Sequence, residues 1–210
     1  MKNYESLNGI FKLFCICGVI CVLFYLLHDI VGALNYPGYS WLSQAVSDLT
    51  ATDAPSFPIA SIFSSIYGIL SCICCLSLCF LIRKEKIKSF KYGIYLFTLM
   101  SIISAVGFAL FPLSSAGFDG TFQSWIHVYI ITSLVVILSI ISLILIALGS
   151  IKKNEKLLGS LAILALVLMF VGAIGSGIVP KSYFGLIERF STYSAVIFTG
   201  ILGIFGFTKF

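Results

Sequence analysis

Charge is what this sequence has least of. Only 10% of its 210 residues are charged, and no polar stretch is longer than a loop. Soluble domains carry about 25% charged residues, so a separate water-soluble domain is excluded. Histidine is also scarce, with two residues, and proline with five. Chemistry that depends on charge or imidazole must therefore rest on a few positions.

Apolar residues fill the chain instead. They make up 60% of it, with a mean hydropathy of +1.11. A bilayer-spanning helix needs roughly 20 apolar residues, and this sequence holds six such runs. They cover residues 10–34, 58–82, 90–112, 124–150, 156–179 and 186–207. The first run is longer than the 7 to 15 residues of a signal-peptide core, so we expect it to be retained. The sequence predicts an all-α integral membrane protein, with residues 1–210 as one six-helix domain.

The charges alternate between the two sides that these spans define. Eleven basic and three acidic residues fall on the side of the two termini, and two basic and five acidic residues fall opposite. The net charges are therefore +8 and −3. Because positive loops stay in the cytoplasm, we expect both termini to be cytoplasmic. Topology thus accounts for the basic excess, and no nucleic-acid partner is predicted.

Three of the five prolines follow the odd-numbered spans in the same pattern. A glycine precedes proline by five positions at Gly32, Gly107 and Gly175. Glycine lets helices approach closely and proline cannot continue a helix. The pattern favours three helical hairpins that turn on the extracytoplasmic side, although ordinary punctuation at helix ends would produce it too.

The first extracytoplasmic loop has an unusual segment at residues 40–49, which contains no glycine or proline. Helical spacing would place its Ser, Gln and Asp side chains on one arc and Leu42, Val46 and Leu49 on the other. We therefore expect a short amphipathic helix that lies at the membrane interface or dips into the mouth of the bundle.

Polar side chains collect at this same extracytoplasmic level, where both histidines also fall. Ionisable groups near lipid are costly and usually functional. The cytoplasmic half has nothing comparable, because its seven cysteines lie among apolar residues and are expected to pack as small hydrophobes. We predict an outward-facing polar pocket. Its candidate residues are His28, Asp29, Ser43, Ser47, Asp48, His127, Glu188 and Arg189.

Each candidate also has a structural interpretation. Either histidine could hydrogen-bond a neighbouring helix, and the two serines could cap or face water. Arg189 could join helices by pairing with Asp29, Asp48 or Asp119. Adjacent Glu188 and Arg189 point about 100° apart on a helix, so they are not expected to pair with each other.

Two functions compete for the pocket. The first is binding of a membrane lipid headgroup or small amphiphile from the outer leaflet. The second is metal-dependent lipid hydrolysis or headgroup transfer, with His28, Asp48 and His127 as zinc ligands or acid–base groups and Ser47 as a further catalytic candidate. Haem on the two histidines has no support beyond their equal depth. The sequence contains neither H-E-x-x-H nor G-x-S-x-G, so whether there is catalysis stays open, as does the oligomeric state.

Several of these motifs together resemble a known family. They are the His28-Asp29 pair, the loop Ser43-x-x-x-Ser47-Asp48-Leu49, Trp125-x-His127, and Gly185-Leu-x-Glu-Arg189. The combination is similar to the prokaryotic membrane family catalogued as domain of unknown function 998. The resemblance implies a six-helix fold and multi-pass placement in a prokaryotic plasma membrane. It implies no activity, since the family has none assigned.

Overall fold

The computed structural model describes residues 2–210, with side chains from residue 7 onward. It is helical throughout its regular structure. Six helical stretches are long and apolar enough to cross a membrane, which confirms the predicted number. These spans 1 to 6 are Leu7–Leu34, Phe57–Lys84, Lys88–Leu110, Phe122–Lys152, Lys156–Gly175 and Lys181–Lys209.

Two of the spans contain more than one α-helix. The α-helices are α1 (Lys2–Phe14), α2 (Cys17–Leu34), α3 (Phe57–Leu81), α4 (Lys88–Leu110), α5 (Phe122–Trp125), α6 (Thr132–Lys152), α7 (Lys156–Gly175) and α8 (Phe184–Lys209). Short 3₁₀ helices occupy Val46–Thr50, Ile82–Lys84 and Lys181–Tyr183. A π-helical turn at Ile126–Ile131 joins α5 to α6.

Span 1 breaks between α1 and α2 at Cys15 and Ile16. The break interrupts the helical hydrogen-bond ladder, and the Cys15 carbonyl accepts instead from the Gly18 amide at 3.0 Å and the Cys74 thiol at 3.4 Å. Gly203 of span 6 lies against the same carbonyl. Span 2 therefore supplies a hydrogen bond at the interruption, and the missing side chain of Gly203 lets span 6 pack closely against it.

The spans close into a ring. Each packs against the next along the chain, and span 6 also packs against span 1. The main buried core lies in the half of the bundle nearer the termini, around Phe90, Phe97 and Phe198. Large apolar side chains such as Leu34 and Leu157, 80% and 75% exposed, lie on the outside, as a lipid-facing surface requires.

The opposite half holds loop 1 (residues 35–56) and loop 3 (residues 111–121). Loop 1 packs on the bundle through Leu49 and Val46, which join a second buried cluster with Tyr25. The two loops are joined by the Thr52 amide, which donates to the Leu113 carbonyl at 2.8 Å. We call this half the loop-1 end.

Loop 1 does not form the single amphipathic helix expected over residues 40–49. One turn closes where the Gln44 amide donates to the Ser40 carbonyl at 2.8 Å, Ala45 is extended, and only Val46–Thr50 is helical, as a 3₁₀ turn. The carbonyls of Trp41 and Gln44, which a continuous helix would use internally, accept from Arg189 at 3.0 and 3.1 Å. A buried guanidinium thus competes with the helix for its acceptors.

Candidate functional site

A cavity of about 1330 Å³ opens inside the ring, with walls from all six spans and both loops. Its two carboxylates and both histidines lie at the loop-1 end. Farther in, the walls are mostly apolar but include hydroxyls such as Ser104 and Ser133. Met100 and Met169 belong both to the cavity and to the main core, so they form its floor. Six of the eight predicted site residues line it: His28, Ser43, Ser47, Asp48, His127 and Glu188.

The other two, Asp29 and Arg189, form a buried ion pair behind the cavity wall. Arg189 Nε and Nη2 donate to the two carboxylate oxygens of Asp29 at 3.0 and 2.7 Å. Their side chains are 3% and 1% exposed. This side-on bidentate geometry is the strong form of an Arg–carboxylate pair. Of the three acidic partners considered from sequence, Arg189 therefore pairs with Asp29.

Every remaining donor of Arg189 is also used. Nη1 donates to the carbonyls of Trp41, Gln44 and Gly185 at 3.0 to 3.1 Å, and Nη2 to the Tyr39 hydroxyl at 2.8 Å. The guanidinium also lies 4.3 Å from the centroid of the Trp41 ring, within cation–π range.

Asp29 is equally saturated. Besides Arg189, the Trp41 indole and the Tyr193 hydroxyl donate to its Oδ2 at 3.1 and 2.8 Å. The network, which we call the staple, joins α2, loop 1 and α8 through Asp29, Arg189, Tyr39, Trp41 and Tyr193. It holds loop 1 over the cavity as a roof.

Glycine at position 185 is required for the same docking. A Cβ there would lie 2.1 Å from the Gln44 carbonyl oxygen, far inside contact distance. Beside it, the Leu186 amide donates to the Leu42 carbonyl at 3.0 Å. The start of α8 thus offers loop 1 a bare backbone surface, which explains a Gly-Leu-x-Glu-Arg sequence at this point.

Glu188 points away from the staple and into the cavity. Its carboxylate accepts from the Val46 amide at 3.3 Å and from the Thr192 hydroxyl at 3.2 Å. Both donors are neutral. As expected, adjacent Glu188 and Arg189 face different partners.

His28 lines the cavity one residue before the staple. It is 3% exposed, and neither ring nitrogen has a hydrogen-bond partner within residues 7–210. The Tyr25 ring lies against it, with centroids 5.4 Å apart, and Tyr67 packs on Tyr25 at 4.8 Å. An unsatisfied buried polar group costs roughly 1–3 kcal/mol, so this imidazole carries a cost that the described residues do not offset.

His127 lies in the π-helical turn of span 4. Its Nδ1 is 2.7 Å from the Phe111 carbonyl, and its own backbone carbonyl accepts from the Thr132 hydroxyl at 2.8 Å. π-turns inside α-helices occur frequently at functional sites because they redirect side chains. Here the turn presents the histidine to the cavity while fixing its ring from behind.

Asp48 ties the two loops together. Its carboxylate accepts from the Ala45 amide at 3.1 Å and from the Gly117 amide of loop 3 at 2.8 Å. Burial raises the pKa of this carboxyl, which the two amides only partly oppose. Ser43 and Ser47 also line the cavity, and their hydroxyls bind none of the described residues.

The zinc set proposed from sequence is not assembled. Over residues 7–210, no three or more His, Cys, Asp or Glu side chains form a group that could hold a metal ion. Asp48 is committed to the backbone of two loops, and His127 to Phe111. The three side chains line the same cavity but do not converge as ligands of one metal ion would.

Comparison with protein families identifies the chain. A family model described as "Protein of unknown function (DUF998)" matches residues 19–204. The chain belongs to DUF998. No curated protein and no solved structure matches this DUF998 chain.

Four tyrosines of the site were not predicted as site residues from the sequence. Tyr39 and Tyr193 complete the staple, while Tyr25 packs against His28 and Tyr67 packs against Tyr25. The sequence does indicate two of them. Tyr193 follows Arg189 by four positions and Tyr25 precedes Asp29 by four, so each of these tyrosines shares a helix face with a staple residue.

Proposed function

We propose that this DUF998 protein binds a membrane amphiphile, such as an outer-leaflet lipid, by its head and chain in the cavity. In this proposal the protein resides in a prokaryotic plasma membrane as three helical hairpins, with both termini cytoplasmic and the loop-1 end outside. The charge asymmetry of +8 against −3 supports that orientation.

The observation that carries the proposal is that the ionisable side chains of a mostly apolar cavity all lie near one of its ends. Polar side chains of His28, Glu188 and Ser43 lie at the loop-1 end, and the floor is made of Met100 and Met169. Ligand sites are mostly apolar with a few convergent polar groups. A polar head with an apolar chain matches that distribution, and about 1330 Å³ exceeds what a drug-sized ligand needs.

Catalysis by a metal has no comparable support. His28, Asp48 and His127 face one space without forming a ligand group. Ser47 has no histidine among its hydrogen-bond partners in the described residues. Binding is therefore the function that the geometry favours.

Co-purification tests the proposal. Protein extracted from its membrane in a mild neutral detergent is expected to retain about one amphiphile per chain in native mass spectra. Ser104→Trp, which adds an indole inside the cavity, should lose it. Leu134→Trp adds the same group on the outer surface, where Leu134 is 42% exposed, and should retain it. Equal retention by both variants, or no bound amphiphile in the wild-type protein, would contradict the proposal.

The orientation is tested separately with a reporter that is active only in the cytoplasm, fused after Phe210. We expect an active reporter there and an inactive one when it is inserted at Gly38 in loop 1. The opposite result would place the cavity mouth on the cytoplasmic side.

A further inference from the structure

We propose that the amphiphile bound in the cavity carries a cationic ammonium head, and that Glu188 and His28 receive it. This inference rests on the proposed function, because it assumes that the cavity binds an amphiphile. It goes further by specifying the charge of the head group. Most membrane lipid heads contain a phosphate, so a pocket that prefers a cationic head differs from one that accepts any phospholipid.

The charge inventory of the cavity is one-sided. Asp48 and Glu188 contribute two carboxylates, and neither Lys nor Arg occurs among the described residues that line it. The nearest cation, Arg189, spends all its donors on Asp29, Tyr39 and three backbone carbonyls. The described wall therefore offers no Lys or Arg to neutralise a phosphate.

Glu188 is the carboxylate suited to receive a cation. Its two hydrogen bonds come from a backbone amide and a hydroxyl, which solvate a negative charge but do not balance it. Inside a membrane bundle an unbalanced charge is costly, and a cation in contact removes that cost. Asp48 also accepts from neutral donors, but both are backbone amides, one in each of the two loops that it joins, whereas Glu188 accepts from one loop amide and from a hydroxyl of its own helix.

His28 gives an independent indication of a ligand. It is 97% buried, it lines the cavity, and both ring nitrogens lack a partner in the described part of the chain. A neutral imidazole always has one nitrogen that accepts a hydrogen bond. An ammonium head offers up to three N–H donors, enough to reach a carboxylate and an imidazole together.

The aromatic wall beside His28 is compatible with the same head. Tyr25 and Tyr67 present rings packed edge to face, 4.8 Å between centroids. Ring faces attract ammonium groups, an interaction that strengthens when water is excluded. A phosphate would instead add negative charge beside two carboxylates.

The test uses three probes with the same twelve-carbon chain and different heads: dodecylammonium, dodecyl phosphate and dodecanol. Binding of each is measured by calorimetry on the full-length protein in lipid nanodiscs of neutral net charge. We expect dodecylammonium to bind at least tenfold more tightly than dodecyl phosphate, with dodecanol between them. This wild-type comparison requires no variant.

Variants then assign the residues. Glu188→Gln should weaken dodecylammonium roughly tenfold, the size of one charge-assisted hydrogen bond, and leave dodecanol nearly unchanged. His28→Leu should weaken the same probe several-fold. Asp53→Asn is the matched control, because Asp53 is an exposed loop-1 carboxylate outside the cavity wall, and it should bind like the wild type.

The outcomes separate the two proposals. Dodecyl phosphate binding as tightly as dodecylammonium overturns the cationic head and leaves amphiphile binding in place. Failure of all three probes overturns both. A tenfold ammonium preference that survives Glu188→Gln overturns the assignment of the head to this carboxylate.

Discussion

Breaking the staple at Asp29 should strongly destabilise this DUF998 protein. Asp29→Asn keeps the size of the side chain but removes the charge that balances Arg189, which is 2% exposed. The new amide nitrogen would also oppose the Arg189 Nη2 donor, which now lies 2.7 Å from Oδ1. Removing one partner of a buried ion pair costs about 3–5 kcal/mol. We expect the free energy of unfolding to fall by that amount.

The measurement is equilibrium unfolding in mixed micelles, followed by tryptophan fluorescence. Only Trp41 and Trp125 are present, so in a Trp125→Phe background the signal comes from the indole that donates to Asp29 at 3.1 Å. Glu155→Gln is the control, since its ion pair with Lys209 is 26% and 49% exposed and should change stability by at most about 1 kcal/mol.

A double-mutant cycle refines the magnitude. Arg189→Met with Asp29→Asn removes both charges, so the double variant should be more stable than the sum of the single losses predicts, by about 0.5–3 kcal/mol. A loss below about 1 kcal/mol for Asp29→Asn, or strict additivity in the cycle, would refute the staple.

Three further predictions concern loop 1 and the histidines. Gly185→Ala should lower the free energy of unfolding by roughly 1–3 kcal/mol, because the new methyl group would overpack against Gln44. Gly177→Ala is the control and should lower it little, because the nearest atom to a Cβ at that position is 3.5 Å away. Equal losses in the two variants would contradict the contact between Gly185 and loop 1. His28→Leu should leave the ligand-free protein as stable or more stable, because the nitrogens of His28 have no partner among the described residues, while His127→Leu should destabilise it. A loss of stability in both variants would count against an unpartnered imidazole at position 28. Burial raises the pKa of Asp48, so the contribution of this carboxyl to stability is complete below about pH 4 and declines as pH rises through the pKa of the folded state. The free energy of unfolding of the wild type should therefore decline with pH, and Asp48→Asn should remove that decline. A pH profile that Asp48→Asn leaves unchanged would contradict this prediction.

Hydropathy and charge were enough to predict the six spans, because each depends only on local composition. The breaks inside spans were not predictable in the same way. The irregular turn at Cys15 depends on Cys74 and Gly203 from other helices, and the π-turn at His127 depends on Thr132 and Phe111. No run of apolar residues encodes those contacts.

The sequence was enough to select many residues of the candidate site, but not to show how they pair. Scarcity of polar residues in an apolar chain was sufficient to select eight positions, and six of them line one cavity. The separation of Asp29 and Arg189 into the staple required the third dimension, since Asp29, Asp48 and Asp119 are equivalent candidates by sequence. Asp119 instead binds the Thr121 amide at 3.0 Å at the surface, and these local hydrogen bonds lower its pKa to about 2.

Loop 1 shows how tertiary contacts can override a helical pattern. Residues 40–49 have amphipathic spacing, but Arg189 takes the carbonyls of Trp41 and Gln44, and Asp48 takes the Ala45 amide. Each buried charge needs several hydrogen bonds, and the backbone groups of loop 1 provide them. The amphipathic spacing of one segment does not show that a charge from another helix will bind its backbone.

The most direct test of the account is an experimental density map of the protein purified from its native membrane. We predict elongated density in the cavity, with its chain over Met100 and Met169 and its head within hydrogen-bond distance of a His28 ring nitrogen. A map in which His28 bonds only to protein groups, with amphiphile density confined to the outer surface of the bundle, would contradict the account.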